Sequence, residues 1–253
     1  MKQPYTLGVD VWEGQLECNE QAFLAGGVGY MLIRINDMQG GHHRDTGFQA
    51  QWEQAAPFAR LPYFVYNPWV DGKANADYLR SILPAGVTTV AVDIEVRMEG
   101  YSPATYAEQV EAFIGMLKSA GIRPIVYTGQ WFLPALAYWP KDVDYWWARY
   151  PYSLYPAGRQ SITWEQFRAK LDNVAWYPAG ASVIPGPCRL WQCSADRFIL
   201  PGTGRPIDVN VFNGTLEDFC DYYDLPDVQR PGKPALTLEE RVERLEAWVA
   251  AHG

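Results

Sequence analysis

Two acids two residues apart, Asp93 and Glu95, close an apolar run that reads TTVAVDIE. On a β-strand, residues i and i+2 project from one face, roughly 6.6 Å apart along the chain. Carboxyl groups held that close cannot both ionise freely, so one keeps its proton to higher pH. A carboxylic acid still protonated near neutral pH is what a general acid catalyst requires. Two further acids hold comparable places: Asp10 follows Leu7-Gly8-Val9, and Asp208 lies in IDVNVFNG. D-x-E alone is a weak signal, because a strand that simply ends on solvated acids has the same pattern. Four acids on three strands that can share one mouth make a stronger one, with Glu95 and Asp93 as the catalytic pair and Asp10 and Asp208 as supporting acids.

Aromatic residues crowd the same segments. Tyr66 and Trp69 fall in FVYNPW, Tyr127 and Trp131 in VYTGQW, Trp147 and Tyr150 in YWWARY, and Trp191 with Gln192 in LWQCS. Aromatic residues make up 15% of the chain, with eleven Trp and sixteen Tyr. Such rings fill cores, and their flat apolar faces also pack on the C–H faces of pyranoses. As a set, these eight residues are expected to contribute sugar platforms to a groove around the acids.

The elements that must position these groups follow from the hydrophobic pattern. Eight β-rich runs are predicted: Leu7–Val11, Tyr30–Asn36, Pro62–Asn67, Thr88–Glu95, Arg123–Gly129, Tyr145–Tyr150, Arg189–Ser194 and Asp208–Asn213. Several are continuously apolar, as strands buried on both faces of a parallel sheet are. The clearest helix is Pro103–Ala120, with Ser102 as N-cap, Pro103 in the first turn, Tyr106, Val110, Phe113 and Leu117 on one stripe, and Gly121 as its stop. Weaker helical patterns cover Gln15–Ala25, Phe48–Arg60 and Ala74–Leu83. Strands alternating with helices predict an α/β fold, an irregular TIM-type β/α barrel with eight strands and fewer helices. In such a barrel the C-terminal strand ends form the active-site rim. The last strand lies beside the first when the sheet closes, which brings Asp208 to the mouth. The length of 253 residues suits one barrel.

After Leu225 the composition changes. We read residues 1–225 as the barrel, 226–235 as a linker (PDVQRPGKP at its heart) and 236–253 as a short amphipathic helix. In that helix Thr237 and Glu240 stand in capping-box register, and Leu238, Val242, Leu245 and Val249 form a seam. The seam is under two heptads, too short to be stable alone. It docks on the barrel, self-associates, or begins something longer.

The formal charge of −8 argues against nucleic-acid binding, which wants a basic stripe. No apolar run is long enough to span a membrane, and the N-terminus MKQPYTLGVDVW lacks the pattern of an ordinary signal peptide. Cys18, Cys188, Cys193 and Cys220 are too few and scattered for a disulfide scaffold. Cys188 and Cys193 are expected on opposite faces of one strand. Three His, two of them adjacent (His42, His43), offer little for a metal site. No metal and no cofactor is expected.

The ordered set GVDV, YNPW, VDIE, IVYTGQWF, WWARYP, LWQCS and IDVNVFNG resembles glycoside hydrolase family 25, the lysozyme-type muramidases, over about residues 5 to 215. The resemblance implies an α/β barrel and hydrolysis of the β-1,4 bond between N-acetylmuramic acid and N-acetylglucosamine in peptidoglycan. It implies that Glu95 protonates the leaving oxygen and that Asp93 assists. The nucleophile is then either a carboxylate or the substrate's own acetamido group, and the latter is preferred. Two departures mark this chain: Asp10 is followed by Val11-Trp12-Glu13-Gly14-Gln15, and Cys193 replaces a ring after Trp191-Gln192. The implied partner is the peptidoglycan glycan strand and the implied place of action is the cell wall. The alternatives are a non-catalytic glycan-binding barrel in a phage or cell-surface assembly, and a chitinase-like glycosidase. The intact acid set favours catalysis over the first. The shorter acid series before Asp93 disfavours the second.

Overall fold

Period-two alternation gives every barrel strand an inner and an outer face, and the packing follows it. The computed structural model describes residues 5–15, 20–38, 41–150, 163–171, 181–200, 203, 205–226 and 229–231. Its strands are β1 (Thr6–Val11), β2 (Val28–Arg34), the short β3 (Asn36–Asp37) and β4 (His43–Arg44), β5 (Ala59–Val65), β6 (Thr89–Asp93), β7 (Arg123–Gly129), β8 (Asp144–Ala148), β9 (Cys188–Phe198) and β10 (Ile207–Phe212). Helices are α1 (Glu20–Gly26), α2 (Phe48–Gln54), α3 (Gly72–Ile82), α4 (Pro103–Ser119), α5 (Trp164–Leu171) and α6 (Leu216–Tyr222). Eight strands close a barrel in the order β1-β10-β9-β8-β7-β6-β5-β2, and β3 and β4 form a separate hairpin. The eight-stranded α/β barrel with few helices is the expected fold.

One feature departs from a parallel barrel. β10 runs antiparallel to both β9 and β1. Only a short stretch separates β9 from β10, whereas a parallel crossover takes a dozen or more residues. The reversal puts the first residues of β10, not the last, at the mouth: Asp208 pairs with Asp10.

Tyr30, Leu32, Leu61, Tyr63, Ala91, Ile125, Tyr127, Trp146 and Leu190 fill the inside of the ring. At the far end they meet Phe219 and Tyr223, with Tyr30 stacked on Phe219 at 4.5 Å. Gly8 makes room for this filling, since a Cβ there would lie 2.2 Å from the Tyr30 ring. The intervening residues, among them Val9, Ile33, Phe64, Val92, Val126 and Val209, face outward into the layer shared with the helices. Ser102 caps α4 and Pro103 occupies its first turn, as its sequence predicts. At the end away from the acids, Arg123 and Arg189 both lie over Tyr222, whose hydroxyl donates to Asp144 at 2.8 Å. This cluster fastens α6 beneath the barrel.

A bulge in β9 corrects the reading of the cysteines. Cys188 is opposite Tyr145 but Leu190, not Arg189, is opposite Trp146. The extra residue flips the phase, so Cys188 and Cys193 lie in the same outer layer. Both are buried, as is Cys220; Cys18 falls outside the described residues. Within the segment read as a linker, Gln229 is fully buried and donates to the Arg60 carbonyl at 2.9 Å. The helix read over 236–253 lies outside the described residues. No described helix is long and apolar enough to cross a membrane.

Candidate active site

The mouth is assembled from strand ends that the ladder hydrogen bonds fix. Asp93 is the last residue of β6, paired with Val65 on one side and Tyr127 on the other. The ladder runs one step further, with Ile94 N–H donating to the Tyr127 carbonyl at 3.1 Å. That holds Glu95 at the rim, in phase with Asp93. Just beyond, the Val96 carbonyl accepts from the Tyr106 hydroxyl at 2.7 Å, so α4 pins the segment that carries Glu95.

Asp93 is buried and its Oδ1 has no hydrogen-bond partner. Its carboxyl is raised well above the ordinary range, first by burial and then by the charges of Glu95 and Asp10, with Arg34 opposing. Glu95 is open to solvent within a concave mouth. Its carboxyl is also raised, first by the protein packed around it and then by Asp10. Burial and Asp10, more than the neighbouring Asp93, therefore account for the shift at Glu95. Both carboxyls are thus shifted in the same direction, and Asp93 is the more enclosed of the two.

Across the mouth, Gln192 organises the other two acids. Its amide nitrogen donates to Asp10 at 3.1 Å and to Asp208 at 3.4 Å, while its carbonyl accepts from the hydroxyls of Tyr127 and Tyr150, each at 2.9 Å. An amide can serve acids with its nitrogen and hydroxyl donors with its oxygen. Asn210, two residues beyond Asp208, donates to Asp10 at 2.7 Å and accepts from the Trp146 indole at 2.8 Å. Trp146 in turn packs at 4.4 Å from Tyr127 and 6.0 Å from Tyr63.

The structure therefore brings together Asp10, Asp93, Glu95, Asp208, Tyr127, Tyr150 and Gln192. Trp131 stacks on Tyr150 at 6.0 Å and is exposed, and Trp69 is exposed on the loop after β5. Three of the proposed platforms are elsewhere. Tyr66, Trp147 and Trp191 are buried in the outer layer, Tyr66 against Tyr106 and Phe113. Trp147 and Trp191 occupy the outward phase of β8 and β9, and Tyr66 follows the inward Val65 at the end of β5, so their rings present no face to the mouth. The neighbour Trp146 takes the inward place that YWWARY suggested for Trp147. Asn210, Trp146 and Arg34 escaped the reading of the sequence. Counting by twos from Asp208 and from Tyr150 finds the first two. Nothing local marks Arg34, whose place depends on Asp45 accepting from its Nε at 2.7 Å. Among the described residues no group of three His, Cys, Asp or Glu is arranged to hold a metal ion.

The sequence model of the glycosyl hydrolases family 25 matches residues 9–172. The chain belongs to that family. It is a glycoside hydrolase, and Asp10, Asp93, Glu95, Tyr127 and Trp131 lie within the matched stretch, with Gln192 and Asp208 beyond it. It is 26% identical over 230 residues to the uncharacterized protein YegX of Escherichia coli strain K12, covering 87% of this chain and 74% of the relative. Its fold is similar to that of the Clostridium perfringens spore cortex lytic enzyme SleM, with a TM-score of 0.66 at 18% identity over 85% of this chain and 69% of that one. The family GH25 lysozyme from Aspergillus fumigatus gives 0.64 at 18% identity, covering 90% and 100%. At these identities the likeness is one of fold, and the family 25 assignment rests on the sequence match.

Proposed function

We infer that this family 25 glycoside hydrolase is a muramidase acting on the cell wall, cleaving the β-1,4 bond between N-acetylmuramic acid and N-acetylglucosamine in peptidoglycan. The observation that carries the reading is the close pair Asp93–Glu95 at the rim of an aromatic-lined mouth in a chain of this family. Glu95 is the general acid: it faces solvent, where a glycosidic oxygen can reach it. Asp93 assists through the substrate's N-acetyl group. An acetamido N–H donated to the unpartnered Oδ1 stabilises the ionised form of Asp93, because a hydrogen bond to a carboxylate favours its charge. Substrate binding thereby releases a proton held on Asp93 to Glu95, where it is needed. The acetamido oxygen then attacks the anomeric carbon as the leaving oxygen takes the proton from Glu95. Water, deprotonated by Glu95, opens the cyclic intermediate. Asp10 and Asp208 act through the Gln192 and Asn210 amides, which keep the inner wall of the mouth in register. Tyr127, Tyr150, Trp131 and Trp69 line the path of the glycan.

The test is Glu95→Gln with purified peptidoglycan, reading new reducing ends by mass spectrometry. General acid catalysis contributes about 10²–10⁴-fold, so turnover is expected to fall by at least that with the fold intact. Reducing-end muramic acid released at near wild-type rate by the variant would remove Glu95 from its role. Release from chitin but not from peptidoglycan by the parent would overturn the substrate.

A further inference from the structure

Two exposed tryptophans at the mouth are seated alike. In the ring of eight strands β1 and β7 stand four apart, so the loops after them face each other across the opening. Trp12, after β1, lies against Gly14, where a Cβ would meet its ring at 2.4 Å. Trp131, after β7, lies against Gly129, where a Cβ would meet the ring at 2.2 Å. Each glycine supplies a bare Cα as a floor, and each ring stays open to solvent, 42% for Trp12 and 48% for Trp131.

Arginines are bonded to both tryptophan-bearing loops. The Arg34 guanidinium lies 5.0 Å from the centre of the Trp12 ring, and Arg205 donates to the Gly14 carbonyl at 2.9 Å. On the opposite side Arg97 donates to the Trp131 carbonyl at 3.4 Å, and Arg149 donates to the side chain of the adjacent Gln130. Arg34 is fixed further by Asp45 and by Glu13 at 3.6 Å. Arg97 and Arg205 are exposed, with guanidinium N–H groups to spare. A chain of net charge −8 with four acids at its centre thus places cations at the two ends of the opening, where the open rings are. A neutral glycan would need the rings alone. The planar, many-donor guanidinium matches a carboxylate.

We propose that Trp12 with Arg205, and Trp131 with Arg97, are two binding stations for a glycan strand whose sugars carry carboxylate substituents. A pyranose face lies on the indole, and a carboxylate of the sugar's lactyl group or of its attached peptide meets the guanidinium beside it. This deepens the muramidase reading and rests on it for the identity of the strand. It also answers an electrostatic difficulty: acids alone would repel a polyanion. Cations on the loops of the mouth oppose that repulsion, and less so as added salt shortens the Debye length from about 8 Å.

The experiment measures binding, by calorimetry, of soluble glycan strands from peptidoglycan to the full-length Glu95→Gln protein. The same strands after carbodiimide coupling to methylamine, which neutralises their carboxylates, are the second ligand. The untreated strands are expected to bind about tenfold more tightly, the scale of one surface charge pair at each station, with the advantage shrinking as salt rises. Adding Arg97→Gln and Arg205→Gln should abolish the preference, while Arg97→Lys with Arg205→Lys should keep most of it. Trp12→Ala should weaken both ligands alike. Equal affinity of the parent for the two ligands, or for neither, overturns the proposal, and so does a double Gln variant that keeps the preference. In a separate arm the wild-type protein is incubated with untreated strands. Failure to cleave them removes the muramidase reading and leaves the binding comparison to be judged on its own.

Discussion

The buried Oδ1 of Asp93, without a partner, sets how this protein responds to pH. A carboxyl that stays protonated in the folded state above its ordinary value of 3.8 binds more protons folded than unfolded. Its contribution to stability is therefore complete below about that value and is lost as pH rises through the raised one. Asp93→Asn removes the titration. Its melting temperature relative to wild type is expected to rise steadily between pH 4 and pH 7, at most by the linkage equivalent of about 1.4 kcal/mol per pH unit. A constant gap across that range would show that Asp93 is ionised in the fold. On the proposed mechanism, an acetamido N–H donated to that oxygen favours the charged form of Asp93 and so releases a proton held there.

Elements deliver these side chains by phase and register, and those were only partly legible in the sequence. All eight barrel strands overlap the predicted runs, because a strand buried on both faces leaves a continuous signal, although β5 starts at Ala59, inside the helix expected over Phe48–Arg60. Phase was harder. In YWWARY both tryptophans are bulky and apolar, and only the inward places of Ala148 and Tyr150 identify Trp146 as the inner one. The bulge after Cys188 has no local mark, and it reverses the face on which that cysteine sits. Gln192 was legible from its family motif, whereas Arg34 depends on a partner eleven residues on. The loop after β5 shows what holds a platform in place. Asn75 of α3 is fully buried, accepts from the Asn67 N–H at 2.9 Å and donates to the Asn67 carbonyl at 2.8 Å. Asn67 in turn accepts from the Trp69 N–H. Asn75→Ala orphans both backbone groups, at roughly 1–3 kcal/mol each. We expect a lower melting temperature and, on glycan strands, a KM that rises more than kcat falls. A variant that melts with the wild type and keeps its KM would show that the loop is held by other means.

At the scale of the molecule, the two ends of the barrel divide the labour. Acids, amides and open rings occupy one end, while the other is sealed by α6, the Arg123–Tyr222–Arg189 stack and Gln229. Gln229→Ala deprives the Arg60 carbonyl of its donor in a buried place. A loss of roughly 1–3 kcal/mol in denaturant unfolding is expected, with kcat on glycan strands unchanged because the mouth is at the opposite end. An unchanged midpoint would mark this segment as an ornament on the barrel. The reversed last strand has an effect in time as well as in space. Asp10 meets Asn210, its partner 200 residues later, only when β10 slots between β9 and β1. At ribosomal speeds of about 5–20 residues per second, the first strand waits roughly 10–40 s for its second neighbour. Throughout that interval the nascent chain has an open edge and an unfinished mouth, so the acid mouth comes into being only once β10 has been made.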